Sequence, residues 1–444
     1  MACSPRSLPF YPPPTMTQAP HTICILGAGF GGLYTALALA QQRWPGPRPQ
    51  IVLVEPGTQF LFSPLLYELL TGELEPWQIA PSFQALLGET PVTFWQGRVQ
   101  GVDLPYRQVW LEDGRGITYD QLVLAVGQGT ASAGVPGAAE YAYGFRRLEE
   151  CDRLHQRLLE LEAAGRSPVR VAIAGAGPSG VELAGKLADR LGDRGQILLF
   201  DRGDRLLKDF PGALQRAAAL ALAQRRVRVS LQTSICEVRP DAVIVERHGQ
   251  THDIPVDLVV WTGGKASHDW VQALPCAKND QGQVRTRPTL QLLDYPEVFA
   301  LGDVADIGVS PRERVPDTAQ AAYQQAPVAA HNLRSQIQGR SLRAFRFRPL
   351  GDMMTVGYQS AVVHSFGLTL TGRLAAVVRQ WAYLLRLPTA RHRGQVAWSW
   401  LSAPLARRQR PGRRRHPSGQ RPGPLPPKAA QTRSAPYASS RRDP

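Results

Sequence analysis

Cysteine is scarce in this chain of 444 residues, and its five cysteines lie far apart: Cys3, Cys24, Cys151, Cys236 and Cys276. No two of them have a C-x-x-C or C-x-x-x-x-C spacing. This absence argues against a disulfide scaffold, a zinc site with clustered ligands and a dithiol redox centre. We therefore expect a chain that works in a reducing compartment and holds no metal.

Long apolar runs are also missing. No stretch approaches the roughly 18 uninterrupted apolar residues that a membrane-spanning helix needs. The first 20 residues contain Pro12, Pro13 and Pro14 and lack the apolar run of a secretory signal. We expect residues 1–20 to be a disordered leader and any membrane contact to be peripheral.

Acidic residues are almost absent from the C-terminal end. From Arg407 onward the sequence has 11 Lys and Arg against one acid, Asp443, which gives +10 of the net charge of +15. The remaining charge of +5 is spread over a globular body, so the charge does not indicate a specific nucleic-acid partner. The Arg, Pro, Gly and Ser composition predicts that residues 404–444 form a basic disordered tail.

The chain does contain two segments with the same pattern: a short apolar strand, a glycine-rich turn and a helix rich in Ala and Leu. They cover residues 22–40 and 169–188, and a further apolar strand follows each of them. This pattern is the opening of a βαβ unit. A chain of this length is expected to have two or three domains, and two of them are predicted to be α/β dinucleotide-binding folds.

The first glycine turn, "GAGFGG", has the spacing G-x-G-x-x-G between a strand and a helix, with Gly27, Gly29 and Gly32 at the three positions. These glycines allow a tight turn, a close approach of the backbone to a pyrophosphate, and close packing of helix on strand. Glu55, which ends the next strand, is expected to bind ribose hydroxyl groups. The alternative is a glycine-rich turn without a ligand.

The second glycine turn, "GAGPSG", places Gly175, Gly177 and Gly180 in the same way, and Asp201 is the corresponding acid. An acid at this position repels a 2′-phosphate and favours NADH, whereas Arg202 beside it favours NADPH. Two dinucleotide folds in one chain indicate a flavin and a nicotinamide arranged for hydride transfer.

Further candidate residues follow the strand in "VFALGDVAD". Gly302 and Asp303 end that strand, and Asp303 is expected to hold a polar end of the first cofactor. A helix is predicted from about residue 318 to 337, capped by Asp317 or Thr318. Its N-terminus is expected to face the flavin. Gln320 and Gln324 share one face of this helix and are either quinone ligands or ordinary exposed glutamines.

Five motifs in one order resemble the type II NAD(P)H dehydrogenases: "GAGFGGL", "FLFSPLLYELLTGE", "GAGPSGVELAG", "VFALGDVAD" and "DTAQAAYQQA". The resemblance covers about residues 22–401. The form "LLYELLTGELEPWQIAPSF" is most similar to the cyanobacterial and plastid branch, which includes demethylphylloquinone reductases. The family's fold implies two Rossmann-like domains of the glutathione-reductase-like type and a C-terminal membrane-associating segment.

The resemblance implies the following division of the chain: an FAD-binding domain over 21–140 and 285–345, an NAD(P)H-binding domain over 141–284, and a membrane and quinone-site segment over 346–403. It implies bound FAD, NADH or NADPH as cosubstrate, and a membrane quinone as acceptor, either a naphthoquinone such as demethylphylloquinone or plastoquinone. It further implies a peripheral protein on the cytoplasmic face of the plasma or thylakoid membrane, with a homodimer as the candidate assembly.

By the family pattern, Ala319, Gln320 and Gln324 are expected at the flavin and quinone site. Glu182, in "GVELA", is expected to be a proton-relay residue near the nicotinamide. Its alternative is a glutamate favoured by the dipole of its helix. Pro327, inside the predicted helix, departs from the pattern and is expected to kink its far end.

Residues 371–387 are predicted to form an amphipathic helix at the membrane. Leu374, Val377, Val378, Trp381, Leu384 and Leu385 supply its apolar side, and Arg373, Arg379 or Gln380, and Arg386 its basic side. A helix packed on its own domain is the alternative.

Two other functions are open at this stage. A sulfide:quinone oxidoreductase would need a cysteine pair at the flavin, for which Cys151 and Cys276 are the candidates. A noncatalytic flavin-bound redox sensor would use the basic tail as its binding arm.

Overall fold

The computed structural model describes residues 21–129, 134–308 and 315–408. The predicted leader lies outside the described residues. The last helix covers the first five residues of the predicted basic tail, and the rest of that tail is also outside. The chain forms one compact unit up to Val396 and a second from Ala397.

Twenty-one strands are present in the described residues. They are β1 (Thr22–Leu26), β2 (Gln50–Glu55), β3 (Val92–Gln96), β4 (Val99–Asp103), β5 (Gln108–Leu111), β6 (Gly116–Thr118), β7 (Gln121–Leu124), β8 (Ala142–Gly144), β9 (Val169–Ala174), β10 (Gly195–Phe200), β11 (Arg228–Ser230), β12 (Thr233–Val238), β13 (Ala242–Arg247), β14 (Gln250–Pro255), β15 (Leu258–Trp261), β16 (Val284–Thr286), β17 (Val298–Ala300), β18 (Ala305–Ile307), β19 (Asp352–Gly357), β20 (Ser360–Ser365) and β21 (Leu368–Thr371).

Twelve α-helices accompany them in the same residues. They are α1 (Phe30–Ala40), α2 (Tyr67–Leu70), α3 (Pro76–Ile79), α4 (Phe83–Leu87), α5 (Ala138–Tyr141), α6 (Leu148–Ala163), α7 (Pro178–Leu191), α8 (Gly212–Gln224), α9 (Asp269–Gln272), α10 (Ala319–Ile337), α11 (Gly372–Leu384) and α12 (Ala390–Arg408). None of the described helices is long and apolar enough to cross a membrane.

The first parallel sheet has the strand order β17-β7-β1-β2-β3. Strand β1 lies at its centre and pairs with β2 and β7. Its apolar residues are buried on both faces, as expected for a central parallel strand covered by helices. Helix α1 follows β1 directly and packs against α10. Tyr34 in its first turns contacts Tyr323 in the first turns of α10, so the first glycine turn and the start of α10 lie at the same end of this sheet.

The second parallel sheet has the order β11-β10-β9-β15-β8. Strand β9 lies at its centre and leads through the second glycine turn into α7. Two parallel sheets, each with a glycine turn after its central strand, confirm the predicted α/β class with Rossmann-like folds.

Four small sheets complete the architecture of the described residues: a parallel pair, β16-β18, and the antiparallel sheets β4-β5-β6, β12-β13-β14 and β19-β20-β21. Strand β19 packs against α7, and α11 packs on β20. Residues 352–384 are therefore attached to the helix of the second glycine turn. Helix α10 runs through Pro327 to Ile337 without interruption, so the proline does not end it.

Candidate active site

The first glycine turn has the backbone geometry of a phosphate-binding loop. Gly27 has a φ of +89°, and a Cβ there would lie 2.5 Å from the carbonyl oxygen of Ala125. A Cβ on Gly32 would lie 1.8 Å from the oxygen of Gly27, whereas a Cβ on Gly29 would meet no atom within 4 Å. Gly27 and Gly32 are thus required by packing. Gly29 instead leaves room beside the N-terminus of α1 for a pyrophosphate.

Glu55 is held against this turn. Its Oε2 accepts a hydrogen bond of 2.8 Å from the Ala28 N–H, and its Oε1 accepts one of 3.3 Å from the Gly57 N–H. A carboxylate accepts through about four lone-pair sites, so Glu55 retains acceptors for ribose hydroxyl groups. The turn and the carboxylate together fit the adenosine half of FAD.

The second glycine turn repeats this arrangement. Gly175 has a φ of +105°, and a Cβ on Gly180 would lie 1.8 Å from the oxygen of Gly175. A Cβ on Gly177 would again meet no atom within 4 Å. This second cradle, at the start of α7, fits the pyrophosphate of NAD(P)H.

Asp201 holds the place in the second fold that Glu55 has in the first. It accepts hydrogen bonds of 2.6 Å from the N–H groups of both Ala176 and Gly203. The neighbouring Arg202 is exposed. Asp201, which the loop holds in place, favours NADH, whereas the exposed Arg202 can turn toward the 2′-phosphate of NADPH. The site is therefore compatible with either nicotinamide donor.

Gly302 and Asp303 lie beside the start of α10. The Gly302 N–H donates to Oε1 of Gln325 at 2.7 Å. Asp303 faces Lys265, whose Nζ lies 3.3 Å from a carboxylate oxygen of Asp303 and 3.3 Å from one of Asp317. Sequence reasoning missed Lys265 and Gln325, which lie next to the predicted residues but belong to no spacing motif.

Thr318 is the cap of α10, and its Oγ accepts a hydrogen bond of 3.2 Å from the Ala321 N–H. Asp317, the alternative cap, accepts a bond of 3.1 Å from Gln283. Ala319 is the first residue of the helix. The predicted cofactor residues at 302, 303 and 319 therefore lie around one helix N-terminus.

Gln320 and Gln324 both bind the backbone of residues 348–351. The Arg348 N–H donates to Gln324 at 3.0 Å, and the Gln324 amide donates to the Arg348 carbonyl at 2.8 Å. Gln320 accepts from the Leu350 N–H at 3.1 Å and donates to the Gly351 carbonyl at 3.2 Å. In this arrangement both glutamines fasten the 348–351 segment to α10, and their role as quinone ligands stays a prediction.

Glu182 belongs to a largely buried cluster of charged side chains, the charge cluster, which consists of Glu68, Glu73, Glu182, Lys186 and Arg379. Arg379 donates to Glu68 at 2.5 Å and lies 3.4 Å from Glu182. Lys186 pairs with Glu73 and lies 3.7 Å from Glu68. Buried charges must be paired, so the cluster fastens α11 and the segment around α2 to helix α7.

Burial raises the pKa of Glu182 to about 7, because removal from water disfavours the charged carboxylate. Arg379 and a hydrogen bond of 2.9 Å from the Thr355 N–H partly oppose this shift. A carboxyl group that titrates near neutrality can accept and release a proton under working conditions. Glu182 lies four residues after Pro178, the first residue of α7. This position next to the second glycine turn is compatible with the predicted proton relay.

The structure corrects the prediction for Arg379. The sequence pattern offered Arg379 or Gln380 for the basic outer side of the amphipathic helix, but only 3% of the surface of Arg379 is exposed, whereas Gln380 is half-buried. Arg379 points inward because the charge cluster supplies two carboxylates for it. Leu374, Val377, Val378 and Trp381 are exposed as predicted, beside the exposed Arg373, whereas Leu384, also predicted on the apolar outer side, is buried because it packs inward at the end of α11.

An aromatic cluster lies between α1, the "FLF" segment, α10 and α11. Its members are Phe30, Tyr34, Phe60, Phe62, Tyr323 and Tyr383. Tyr34 packs edge-on against Tyr323 with 4.9 Å between ring centroids, and its hydroxyl donates to the Arg386 carbonyl. The sequence motif "FLFSPLLYELL" contains part of this cluster, but only the fold brings Tyr34 and Tyr323 to it.

The two candidate cysteines do not have the environment of a sulfur-carrying pair. Cys151 is buried on α6, where burial raises the pKa of its thiol to about 12. Burial also raises the pKa of Cys276. A reactive cysteine needs a lowered pKa. The raised pKa of both thiols therefore argues against a sulfide:quinone oxidoreductase that uses this pair. No cluster of potential metal ligands is found among residues 21–129, 134–308 and 315–408.

Comparison with known proteins shows the family to which this chain belongs. The family model for pyridine nucleotide-disulphide oxidoreductases matches residues 21–326. The chain is 42% identical to the demethylphylloquinone reductase of Synechocystis sp., covering 88% of this chain and 98% of that protein. It is 37% identical to the alternative NAD(P)H-ubiquinone oxidoreductase C1 of Arabidopsis thaliana, covering 86% of this chain and 80% of that protein.

The fold is also that of a solved relative. The NDH2 structure from Plasmodium falciparum in complex with NADH superimposes with a TM-score of 0.78 at 17% identity, covering 87% of this chain and 98% of that one. The chain therefore belongs to the pyridine nucleotide-disulphide oxidoreductases and, within them, to the FAD-dependent type II NAD(P)H:quinone oxidoreductases.

Proposed function

We propose that this enzyme takes a hydride from NAD(P)H and reduces a naphthoquinone dissolved in a membrane. The observation that carries the proposal is the pair of glycine turns, each with an acid fixed by its own loop, on two parallel sheets of one chain. FAD, when bound in the first fold, accepts a hydride and passes electrons to a quinone. The naphthoquinone is favoured by the high identity to a demethylphylloquinone reductase.

The proposed division into domains follows from the sheets. The first sheet uses strands of residues 22–124 and 298–300, which supports an FAD-binding domain over 21–140 and 285–345. The second uses strands of residues 142–261, which supports an NAD(P)H-binding domain over 141–284. Residues 346–403 then form the proposed membrane and quinone-site segment.

The residues of the chain have separate roles in this proposal. Gly27, Gly29, Gly32 and Glu55 bind the first dinucleotide, and Gly175, Gly177, Gly180 and Asp201 bind the second. Gly302, Asp303 and Ala319 border the flavin at the N-terminus of α10, where the positive end of the helix dipole favours negative charge.

Quinone and proton handling involve other residues. Gln320 and Gln324 hold the 348–351 segment in place beside α10, and we propose that they thereby shape the quinone site. Tyr34 and Tyr323, whose rings pack edge to face, offer aromatic contacts suited to a quinone ring. Glu182, with a pKa of about 7, supplies or stores a proton as the quinone is reduced to the quinol.

Attachment to the membrane is proposed through the outer face of α11. Trp381 is 43% exposed and Leu374 is 64% exposed, and with the exposed Val377 and Val378 they form a group of apolar residues on one helix, which is typical of an interaction surface. An apolar helix face of this kind can enter the headgroup region of a bilayer. We propose attachment on the cytoplasmic side of the plasma or thylakoid membrane. Assembly into a homodimer stays a prediction, which sedimentation velocity would test.

The acceptor is tested by steady-state NADH and NADPH oxidation with naphthoquinone and benzoquinone analogues. We expect a higher kcat/KM for naphthoquinones. A higher value for benzoquinones would contradict the proposed acceptor. NADH oxidation that stops after one reduction of the flavin, with every quinone, would instead favour the redox sensor.

Membrane attachment is tested by vesicle flotation of a variant with Leu374→Gln and Trp381→Gln. Its matched control carries Leu220→Gln and Tyr106→Gln, which change two exposed apolar residues elsewhere. We expect only the first variant to lose binding, while its activity with a water-soluble naphthoquinone is unchanged. Equal binding by both variants would contradict attachment through α11.

A further inference from the structure

A cavity of about 220 Å³ lies at the C-terminal end of α10. Its lining is rich in hydrogen-bond donors and, in the described residues, contains no carboxylate. It is lined by His331, Arg334, Ser335 and Gln338 of α10 and by the exposed residues Arg340, Ser341 and Arg343 that follow the helix. No residue of this group has a part in the cofactor, quinone or membrane sites proposed above.

The three arginines have no acidic partners. Within the described part of the chain, no carboxylate lies within 4.0 Å of the guanidinium groups of Arg334, Arg340 or Arg343. Two buried donor nitrogens in the lining, Nε of Arg334 and Nε2 of Gln338, also have no hydrogen-bond partner there. A buried donor without a partner is energetically unfavourable, so helix packing alone does not satisfy this group of side chains.

Capping of the helix does not explain it. The last carbonyls of α10 already accept backbone hydrogen bonds: the Gln338 N–H donates to the Arg334 carbonyl at 3.1 Å, and the Arg340 N–H donates to the Ser335 carbonyl at 2.8 Å. The arginine side chains are therefore not needed as caps. Their positive field is felt locally, because Arg343 and Arg334 add to the effect of burial in lowering the pKa of His331.

We propose that this cavity is an anion site that binds a phosphate group. Guanidinium groups bind phosphate oxygens bidentately, and the exposed Ser341 hydroxyl can donate to a remaining oxygen. The cavity is smaller than the roughly 300–1,000 Å³ of a site for a drug-sized ligand. It therefore accommodates one phosphate-bearing group, carried by a soluble ester or by the headgroup of an anionic lipid.

The test compares the FAD-loaded full-length protein with a variant carrying Arg340→Gln and Arg343→Gln. The matched control carries Arg216→Gln and Arg247→Gln, two exposed arginines without ion pairs in the described residues. A second cavity variant, Ser341→Glu, places a negative charge in the cavity. Every protein keeps the basic C-terminal tail, so nonspecific anion binding is common to all of them. Flavin content and thermal unfolding establish that each is folded.

Binding of inorganic phosphate, pyrophosphate and glycerol phosphate is measured by calorimetry. Membrane binding is measured with phosphatidylcholine vesicles that either contain or lack phosphatidylglycerol. We expect the cavity variants to weaken at least one of these by about tenfold or more, and the control to leave it unchanged. Weakening with soluble phosphates identifies a soluble ligand. Weakening only with phosphatidylglycerol vesicles identifies a headgroup.

A second readout locates the site. Bound phosphate should raise the pKa of His331, followed by NMR of its ring protons, in the parent protein but not in the Arg340 and Arg343 variant. Equal affinities of parent, cavity variants and control for every probe, with no change at His331, would overturn the proposal.

Discussion

Replacing Glu182 by Gln should make the stability of the enzyme less dependent on pH. The pKa of Glu182 in the folded chain, about 7, lies above its ordinary value of 4.5. The folded state therefore binds this proton more tightly than the unfolded state does. The stability that follows is fully present below about pH 4.5 and is lost as the pH rises through about 7.

The magnitude follows from the size of the shift. One pKa unit corresponds to about 1.4 kcal/mol, so complete ionisation of Glu182 lowers the free energy of unfolding by about 3 kcal/mol. Between about pH 5 and about pH 8 the loss is about 2–3 kcal/mol. Glutamine has no charge to form, so the Glu182→Gln variant should not show this loss.

The measurement is urea unfolding of the FAD-saturated protein across this pH range. The difference in free energy of unfolding between parent and Glu182→Gln should change by about 2–3 kcal/mol, a much larger change than for the exposed control Glu149→Gln. Infrared spectra should also show a protonated carboxyl band that disappears near pH 7 and is missing in Glu182→Gln. A parent-minus-variant difference that is independent of pH, with no such band, would refute the reasoning.

Three further predictions concern the two half-reactions. Gly29→Ala should fold but bind FAD more weakly, because its methyl group occupies the space proposed for the pyrophosphate. Gly32→Ala should fail to fold, because its Cβ would lie 1.8 Å from the Gly27 oxygen. Flavin content and circular dichroism distinguish the two outcomes. Asp201→Asn should raise the ratio of kcat/KM for NADPH to that for NADH, and an unchanged ratio would remove Asp201 from the ribose. Gln324→Leu breaks two hydrogen bonds to Arg348 and should lower quinone kcat/KM by roughly 5- to 150-fold, while stopped-flow reduction of the flavin by NADH stays within a few-fold.

The sequence was sufficient for the features that depend on neighbouring residues. The two glycine turns and their acids are local, since the acid ends the strand that follows the first helix. Glu55 and Asp201 therefore contact the turns from which they were predicted. The predicted helix over residues 318–337 is confirmed as α10, because its cap, Thr318, is encoded next to it.

Features that join distant segments could not be predicted in this way. Arg379 contacts Glu68 across 311 residues of sequence, and helical periodicity alone places an arginine on the outside of its helix. Likewise, the pairing of Gln324 with Arg348 depends on where the following segment returns to α10. One signal was available: Lys186 lies four residues after Glu182, which places both side chains on one face of α7.

The central claim is tested most directly by separating the two half-reactions of the FAD-loaded protein without oxygen. NADH should bleach the flavin absorbance in a single step, and subsequent mixing with a naphthoquinone should restore it with release of the quinol. A flavin that NADH reduces but no quinone reoxidises would contradict the account. So would a flavin that only sulfide reduces.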